Sequence, residues 1–357
     1  MMGEAAHAVG VHLTVLATSL DDAASETCDA LILGDARDET ALVRLAQAVE
    51  VVTFDHELID LDQIRDLEDH VAVRPSATAL AMAVDKAHQR RTLAAAGIAV
   101  PRHVIVTGPE DPALGAFLDA LDGSAVVKAA RGGYDGRGVT FATTRDDALA
   151  TIAQIEGDAV VEERLELLGE LSQVLVRDVE GRVVLYPLVT TIQRDGMCVE
   201  TLFPAAADFA ADAAQLATRI SELCDVVGVL AVELFVTSGG LLVNEVALRP
   251  HNTGHWTIEG AATSQFANHL LAVSGQPLGP TTPTASAVVM VNVVGADEPG
   301  SPEAAATVEG AHVHDYGKAW RPGRKLGHVT VCSSDVASAH MRAWERARAY
   351  GTRTREA

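Results

Sequence analysis

The segment "ARGGYDGRGV" at residues 130–139 combines glycine and charge in a way that could bind a phosphate group. Glycines let backbone N–H groups approach an anion closely, and such a loop can close over phosphates as a lid. The segment lacks the G-K-[ST] ending of a Walker A loop, and it does not match G-x-G-x-x-G before a helix. By itself it is more typical of a flexible turn between two strands. Lys128 favours a phosphate site, because a lysine at the end of an apolar strand needs a partner.

Two glutamates are predicted to face each other in the hairpin "VGVLAVELFVTSGGLLVNEVAL" at residues 227–248. A three-residue turn at 238–240 pairs Glu233 with Glu245. The same register gives two further pairs, Phe235 with Val243 and Thr237 with Leu241. Like charges with β-carbons about 5 Å apart require a protonated carboxyl or a cation between them. Because Asn244 adds another oxygen, we interpret Glu233 and Glu245 as a Mg²⁺ site; the alternative is a surface pair on an edge hairpin.

Two later segments concentrate hydrogen-bond donors outside any periodic apolar pattern. Residues 248–260 hold Arg249, His251, Asn252, Thr253 and His255, and residues 315–328 hold Lys318, Arg321, Arg324 and Lys325. Zinc binding by His251 and His255 would need a helix, which Pro250 and Gly254 oppose. Donors that converge on an anionic substrate fit better, and a solvated basic turn is the alternative for the second segment.

The elements that must position these residues alternate between strands and helices. Residues 4–9 and 39–49 are predicted helices, and residues 11–18, 29–35 and 50–56 are predicted strands, which indicates a doubly wound parallel sheet. One long amphipathic helix is predicted before Gly97, and the glycine segment joins two strands. The Pro- and Thr-rich residues 275–286 indicate a linker before a final β-rich part.

Composition excludes several classes of protein. The 357 residues are 48% hydrophobic and carry a formal net charge of -22, with a pI of about 4.9 and mean hydropathy +0.17. This balance argues against a non-specific binder of nucleic acid or of membrane surfaces. Four widely spaced cysteines, at positions 28, 198, 224 and 332, predict buried free thiols. No apolar run is long enough for a bilayer and no signal peptide opens the chain, so we expect a cytoplasmic location.

Together and in this order, the motifs resemble those of the N5-carboxyaminoimidazole ribonucleotide synthase family of ATP-grasp enzymes. The matching motifs are Asp85-Lys86, Lys128, "GGYDGRG", "VEERLELLGE", "NEVALRPHNTGHWT" and "YGKAWRPGRKLGH". The resemblance covers nearly the whole chain. It implies an α/β (α+β) ATP-grasp fold, with a doubly wound N-terminal domain at 1–74 and an ATP-grasp domain at 75–275. The glycine lid would belong to a subdomain at about 100–170, and a small β-rich domain would follow at 281–350.

The resemblance also implies which residues bind the nucleotide. Lys86 and Lys128 would contact the ATP phosphates, and Glu170 would hold the ribose hydroxyls. The lid would consist of Gly132, Gly133, Tyr134, Asp135, Gly136, Arg137 and Gly138. The adenine pocket would be lined by Glu162, Glu163, Arg164 and Leu165. Gln193 stands near the nucleotide where many members have histidine, and Asn244 lies beside the metal carboxylates Glu233 and Glu245.

Substrate and catalytic roles follow from the same resemblance. Arg249, His251 and Asn252 would face bicarbonate and a carboxyphosphate intermediate. The ribonucleotide would be bound by Arg324 and Lys325, together with Lys318, which is also assigned to catalysis. Glu57 would lie near the base of the ribonucleotide. Leu58 replaces an asparagine that often follows this acid.

The implied reaction is the ATP- and bicarbonate-dependent carboxylation of aminoimidazole ribonucleotide in purine biosynthesis. It implies Mg²⁺, with Mn²⁺ as a substitute, small-molecule substrates and a homodimer. The alternatives are another ATP-grasp carboxylate–amine ligase or a non-catalytic nucleotide-binding protein. The non-catalytic alternative arises because the family's usual first strand and "GGGQLARM"-like turn have no counterpart before "MMGEAAHAVG". We therefore expect a native chain longer by about 15 residues, the length of one strand and a loop.

Overall fold

The computed structural model describes residues 1–133, 138–205, 207–306 and 310–353. Its helices are α1 Met2–Val9, α2 Glu39–Ala48, α3 Leu61–Glu68, α4 Ala77–Val84, α5 Lys86–Ala95, α6 Pro112–Asp119, α7 Arg145–Ile152, α8 Ala210–Leu223, α9 Thr257–Gly260, α10 Gln265–Val273, α11 Pro302–Ala306 and α12 Val336–Tyr350. Short 3₁₀ turns occur at Ala23–Glu26, Ala207–Phe209 and Asn252–Gly254.

The strands are β1 Thr14–Ala17, β2 Ala30–Leu33, β3 Val51–Val52, β4 Ala72–Val73, β5 His103–Val106, β6 Ala125–Ala129, β7 Val139–Ala142, β8 Ala159–Glu163, β9 Gly169–Arg177, β10 Val183–Leu185, β11 Val189–Arg194, β12 Met197–Phe203, β13 Gly228–Thr237, β14 Gly240–Ala247, β15 Ala287–Val294, β16 Ala311–Asp315 and β17 Lys325–Ser333.

The N-terminal part contains the predicted strands and helices, and the strand pairs are parallel. β1 pairs with β2 and β3 pairs with β4, so the described residues form two parallel pairs instead of one continuous sheet. Helix α1 places the buried Ala5 and Ala6 against Phe266 and Leu270 of α10. The N-terminal layer is therefore fixed to the layer that carries the later motifs.

The predicted single helix before Gly97 is wrong, because the structure has two helices separated at Asp85. Asp85 has an extended backbone (φ -125°, ψ 102°), and its side chain accepts a hydrogen bond from the backbone N–H of His88. This N-cap starts a new helix at Lys86, since a capping carboxylate satisfies an otherwise unpaired N–H. Gly97 does end the second helix region in a left-handed conformation, with φ 67°.

An antiparallel sheet in the order β5-β8-β6-β7 carries the glycine segment. β6 and β7 pair directly, with Lys128 opposite Val139, so the prediction that the segment joins two strands is confirmed. Helices α6 and α7 cover one face through Leu118 and Ile152, which lie in one core with Val127 and Val161. The two strands that flank the segment are therefore held in place by a packed core.

A second antiparallel sheet, of nine strands, runs through the rest of the molecule. Its order is β14-β13-β9-β11-β12-β15-β17-β16, and β10 pairs with β9. β12 pairs with β15 from Glu200–Val291 to Phe203–Val288, so the strands after residues 275–286 extend the same sheet. Helix α12 covers this end through Trp344 and Tyr350.

The cysteines are free, as predicted, although only Cys198 and Cys224 are buried. Among the described residues, no helix combines the length and the apolar character that crossing a membrane requires.

Candidate functional site

Glu233 and Glu245 stand directly opposite each other on β13 and β14, as predicted. The other two predicted pairs are wrong, because Phe235 pairs with Leu242 and Thr237 pairs with Gly240. The turn is one residue shorter than expected, and a bulge between Glu233 and Leu234 in the register restores the glutamate pair. The bulged residue is Asn244, which has no partner on β13. Its side-chain amide and the carboxylate of Glu245 therefore lie in the same part of the hairpin.

The environment of Glu233 strongly favours a protonated carboxyl or a bound cation. Burial is the largest cause that raises the pKa of Glu233 to about 8, and the charges of Glu245 and Glu170 add to it. Lys325 and Lys128 act in the opposite direction. Burial also raises the pKa of Glu170 to about 7. Three carboxyls thus share a region in which their negative charges are poorly compensated.

Lys128, Glu162 and Arg90 form a buried ion-pair cluster beside this hairpin. The Glu162 carboxylate lies 2.7 Å from Nζ of Lys128 and accepts a 2.6 Å hydrogen bond from Nε of Arg90. Lys128 also donates to Oδ1 of Asn244 at 3.2 Å, and Arg90 donates to the Asn244 carbonyl at 2.7 Å. Burial opposes ionisation of Glu162, but Lys128 and Arg90 together hold its pKa below the usual value. Burial and Arg90 lower the pKa of Lys128, against the pull of Glu162.

This cluster changes the interpretation of the buried Lys128. The partner that Lys128 needs is Glu162, so burial of the lysine does not by itself require a phosphate. The Glu162 side chain is only 2% exposed and lies between two cations, and its expected place in an adenine pocket stays a prediction. What the cluster does supply is a lysine ammonium fixed next to Asn244 and the two carboxylates.

The flanks of the glycine segment are tied to the N-terminus of α5. The backbone N–H of Lys86 donates to the carbonyl of Ala130 at 2.8 Å, and Arg131 lies 3.0 Å from the Asp85 carboxylate. Gly132 and Gly138 adopt φ values of 78° and 77°, which favour glycine. Tyr134, Asp135, Gly136 and Arg137 lie outside the described residues; Gly133 lies within them.

The end of β8 and the start of the next loop place the other nucleotide residues. Glu163 forms a 2.7 Å ion pair with Arg102, and Arg164 lies 6.0 Å from the centre of the exposed Phe141 ring. Leu165 is half-buried. Gln193 is also half-buried and pairs with Cys198 across β11 and β12. Their roles toward a nucleotide stay predictions.

The loop after β14 is held by Glu57 from the N-terminal part. The Glu57 carboxylate accepts a 3.1 Å hydrogen bond from the N–H of Leu248 and lies 3.5 Å from Nε of Arg249. Burial raises the pKa of Glu57, and Arg249 opposes this effect. Glu57 therefore orients the arginine that starts the motif, and its expected contact with a substrate base stays a prediction.

His251 is positioned by a hydrogen-bonded line that ends beside Glu233. Its Nδ1 lies 2.9 Å from the hydroxyl of Thr253, which lies 2.6 Å from the hydroxyl of Ser172. Ser172 pairs with Glu233 across β9 and β13. Both side-chain amide atoms of Asn252 are buried and have no hydrogen-bond partner within the described part of the chain. An unpaired buried amide is costly, so Asn252 is available for a ligand.

The second basic segment contributes Lys325 to this site. Lys325 begins β17, and its charge reaches Glu233 and His255. Nζ of the exposed Lys318 lies 5.3 Å from the centre of the Tyr316 ring. Arg324 donates to the carbonyl of Ala319 at 3.1 Å, which holds the segment in a compact turn.

Arg90 and Ser172 were not predicted from the sequence, and Thr253 was named only as one of the donors in residues 248–260. Arg90 is only 2% exposed, and its signal is a cation four residues after Lys86 on the same helix. Ser172 and Thr253 are each 0% exposed, and Ser172 gave no signal, because small hydroxyl residues are common in strands. Among the described residues, no group of three or more His, Cys, Asp or Glu side chains is placed to hold a metal ion.

Comparisons with known proteins agree with this architecture. The ATP-grasp domain family matches residues 91–266. The phosphoribosylaminoimidazole carboxylase C-terminal domain family matches residues 288–342, and the ribonucleotide synthetase preATP-grasp domain family matches residues 1–84.

Individual relatives give the same result over nearly the whole chain. The N5-carboxyaminoimidazole ribonucleotide synthase of Mycobacterium bovis is 45% identical over 96% of this chain and 83% of its own length. The crystal structure of the N5-carboxyaminoimidazole ribonucleotide synthetase of Thermus thermophilus has a TM-score of 0.89 and 35% identity, covering 99% of this chain and 96% of that one. The Aspergillus clavatus enzyme in complex with ADP and 5-aminoimidazole ribonucleotide has a TM-score of 0.88 and 26% identity, covering 98% and 95%.

Proposed function

The chain belongs to the N5-carboxyaminoimidazole ribonucleotide synthase family of ATP-grasp ligases, and we propose that the site described above divides the family reaction among its residues as follows. Members use ATP to carboxylate 5-aminoimidazole ribonucleotide in purine biosynthesis, so the chain is an ATP-dependent ligase that forms a carbon–nitrogen bond. The observation that carries the assignment is the facing pair Glu233 and Glu245 beside the fixed ammonium of Lys128.

The phosphates of ATP are bound by Lys128, Lys86 and the glycine segment. Phosphoryl transfer needs positioning and charge neutralisation more than covalent catalysis. Lys128 is held by Glu162 and Asn244, so its ammonium needs little reorganisation when a phosphate arrives. The contacts of Lys86 and Arg131 fix both the start of α5 and the base of the lid.

A Mg²⁺ ion fits Glu233 and Glu245. Mg²⁺ is commonly bound by one or two carboxylates plus substrate phosphates, and it keeps several waters. Two facing carboxylates repel each other when no cation lies between them, and the raised pKa of Glu233 is the expected result. Mn²⁺ accepts the same oxygen ligands. When bound, the ion supplies neutralisation of the phosphate charge.

Bicarbonate is activated beside Arg249, His251 and Asn252. A bicarbonate oxygen attacks the γ-phosphorus, the bond from that phosphorus to the ADP oxygen breaks, and carboxyphosphate forms. Arg249 and the unpartnered Asn252 amide bind the carboxyl oxygens, while the Thr253–Ser172 line holds the His251 ring. Exclusion of water by the lid protects the intermediate from hydrolysis.

The ribonucleotide then takes up the carboxyl group. Its amine nitrogen attacks the carboxyl carbon, phosphate leaves with the bridging oxygen, and the nitrogen loses a proton. Lys318, Arg324 and Lys325 bind the ribonucleotide, so its phosphate meets a basic segment of an otherwise acidic protein. The homodimer stays a prediction, which sedimentation analysis tests.

ADP formation, measured with ribonucleotide and bicarbonate omitted in turn, tests this proposal. Full turnover is expected only with both substrates, and Glu245→Gln is expected to lose it by more than about 100-fold, a typical cost for removing a charge-stabilising group. Glu222→Gln, a neutralised carboxylate on the exposed side of α8, is the matched control and should keep normal turnover. ADP formation that neither substrate stimulates would contradict the proposal.

A further inference from the structure

A group of aromatic and histidine side chains, half-buried except for the fully buried His328, joins the two segments 248–260 and 315–328. The Tyr316 hydroxyl lies 3.2 Å from Nδ1 of His255 and 2.9 Å from Nδ1 of His328. The His328 ring stacks on His314 with centroids 4.5 Å apart, and His314 contacts the Glu259 carboxylate at 2.6 Å. These residues come from the loop after β14, from α9, from β16 and the residue after it, and from β17. One hydroxyl therefore connects two imidazoles that are distant in sequence.

The hydrogen-bond partners of His328 determine which of its ring nitrogens carries the proton. Its Nε2 is buried and has no hydrogen-bond partner in the described ranges, and the residue is 0% exposed. A neutral imidazole carries one proton, and a buried N–H without a partner costs more than an unpaired acceptor nitrogen. The proton of His328 therefore lies on Nδ1, which donates to the Tyr316 oxygen. Burial keeps this ring neutral, since it lowers the pKa of His328 well below the usual value.

The state of His255 follows from that of Tyr316. The phenol oxygen accepts from His328, so its own proton is directed to Nδ1 of His255 at 3.2 Å. Burial lowers the pKa of His255 well below the usual value, and the nearby charges of Lys325, His251, His314 and Arg249 act in the same direction. A neutral His255 whose Nδ1 accepts a hydrogen bond must carry its proton on Nε2.

Nε2 of His255 is the atom that is left for a ligand. His255 is half-buried, and among the described residues its Nε2 has no hydrogen-bond partner, whereas its Nδ1 lies beside the Tyr316 hydroxyl. The residues within electrostatic reach include Arg249, His251 and Lys325, which the proposed function assigns to the two anionic substrates. We propose that His255 donates a hydrogen bond through Nε2 to an anionic oxygen of substrate, and that Tyr316 and His328 are positioning residues that fix its tautomer.

This proposal rests on the proposed function, but its first test does not need turnover. Long-range ¹H–¹⁵N correlation spectra of the histidine-labelled full chain, with assignments from single substitutions, report which ring nitrogen carries the proton. We expect the proton on Nε2 in His255 and on Nδ1 in His328. A proton on Nδ1 of His255, or on Nε2 of His328, would overturn the proposal even if the chain makes the expected product.

A pair of amide substitutions tests the donor itself. Glutamine can place an N–H where histidine has Nε2, whereas asparagine places it near Nδ1. We expect His255→Gln to keep kcat/KM within about 3-fold and His255→Asn to lose about 10- to 100-fold, the range for one hydrogen bond to a charged group. The substrate whose KM rises in His255→Asn identifies the oxygen that His255 contacts. A higher KM for bicarbonate indicates a carboxyl oxygen, and a higher KM for the ribonucleotide indicates a phosphate oxygen. Equal losses in both variants would contradict the assignment.

A double-mutant cycle separates positioning from simple structural support. Tyr316→Phe removes the hydroxyl but keeps the ring under Lys318, and it should lower kcat/KM in the native background. In the His255→Gln background it should have no further effect, because a carboxamide has no tautomer to fix. Tyr350→Phe, which removes a hydroxyl that α12 donates to the Leu326 carbonyl of β17, is the control and should leave kcat/KM unchanged in both backgrounds. If Tyr316→Phe costs the same in both, the positioning role is wrong.

Discussion

Replacement of Glu233 by glutamine should change how the stability of the metal-free protein depends on pH. The folded chain holds the Glu233 proton more tightly than the unfolded chain does, since the pKa rises from 4.5 to about 8. A raised carboxyl pKa contributes stability that is fully present below the unfolded value and is lost as the pH rises through the folded value. The native chain should therefore lose stability from about pH 5 to pH 8 when divalent cations are removed.

The size of this loss follows from the pKa interval. At about 1.4 kcal/mol for each pH unit, the interval from 4.5 to about 8 gives at most about 5 kcal/mol. Because Glu233 is half-buried, solvent screens part of this interaction, and we expect about 2 kcal/mol. Glutamine has the same shape and no charge, so it removes the Glu233 contribution and the repulsion with Glu245. The effects of burial on Glu57 and Glu170 are present in both proteins and cancel in the difference.

Urea unfolding in the presence of a chelator, at about pH 5.5 and pH 8, provides the measurement. The free energy of unfolding of the native chain should fall between the two pH values by about 2 kcal/mol more than that of Glu233→Gln. Mg²⁺ added at the higher pH should restore the native chain and leave the variant unchanged. Equal slopes for the two proteins would refute the argument that the carboxylates are destabilising without a cation.

Two further substitutions test the supports of the site. Arg90→Leu should lower the free energy of unfolding by about 3–5 kcal/mol, because it leaves the buried Glu162 with one cation fewer. The control Arg91→Leu removes an exposed 3.2 Å ion pair and should cost less than about 1 kcal/mol. Similar losses for the two variants in calorimetry would contradict the burial argument. Asp85→Ala should lose about 1 kcal/mol through the N-cap of α5 and raise the KM for ATP, whereas Asp85→Asn should keep the cap and lose only the Arg131 ion pair. A destabilised Asp85→Asn protein would show that the ion pair, and not the cap, is the main contribution.

Much of the local structure could be predicted from the sequence because local rules decide it. Alternating strands and helices, the strand–glycine–strand segment and the facing glutamates follow from periodicity and turn residues. The glutamate pair was right despite two errors, a turn one residue too long and an unseen bulge at Asn244, which cancel at that pair. A bulge is recognisable only from the partner strand, so the sequence of one strand does not reveal it.

The tertiary partners could not be predicted by the same rules. Nothing local indicates that Lys128 pairs with Glu162, or that Arg90 completes the cluster, because these residues meet only when α5 packs on the β8 end of its sheet. The continuation of the sheet from β12 to β15 crosses a segment that reads as a linker. Tyr316 likewise joins His255 and His328 only because β16 and β17 lie beside the loop after β14.

Transfer of an oxygen atom from bicarbonate to phosphate tests the central claim most directly. Turnover with ¹⁸O-labelled bicarbonate, unlabelled ATP and 5-aminoimidazole ribonucleotide should release inorganic phosphate that carries one labelled oxygen, since the attacking bicarbonate oxygen stays on phosphorus when the carboxyl carbon is transferred. Mass spectrometry of the phosphate reads this directly. Labelled phosphate formed in step with ADP would support carboxyphosphate at this site, and phosphate without label would contradict it.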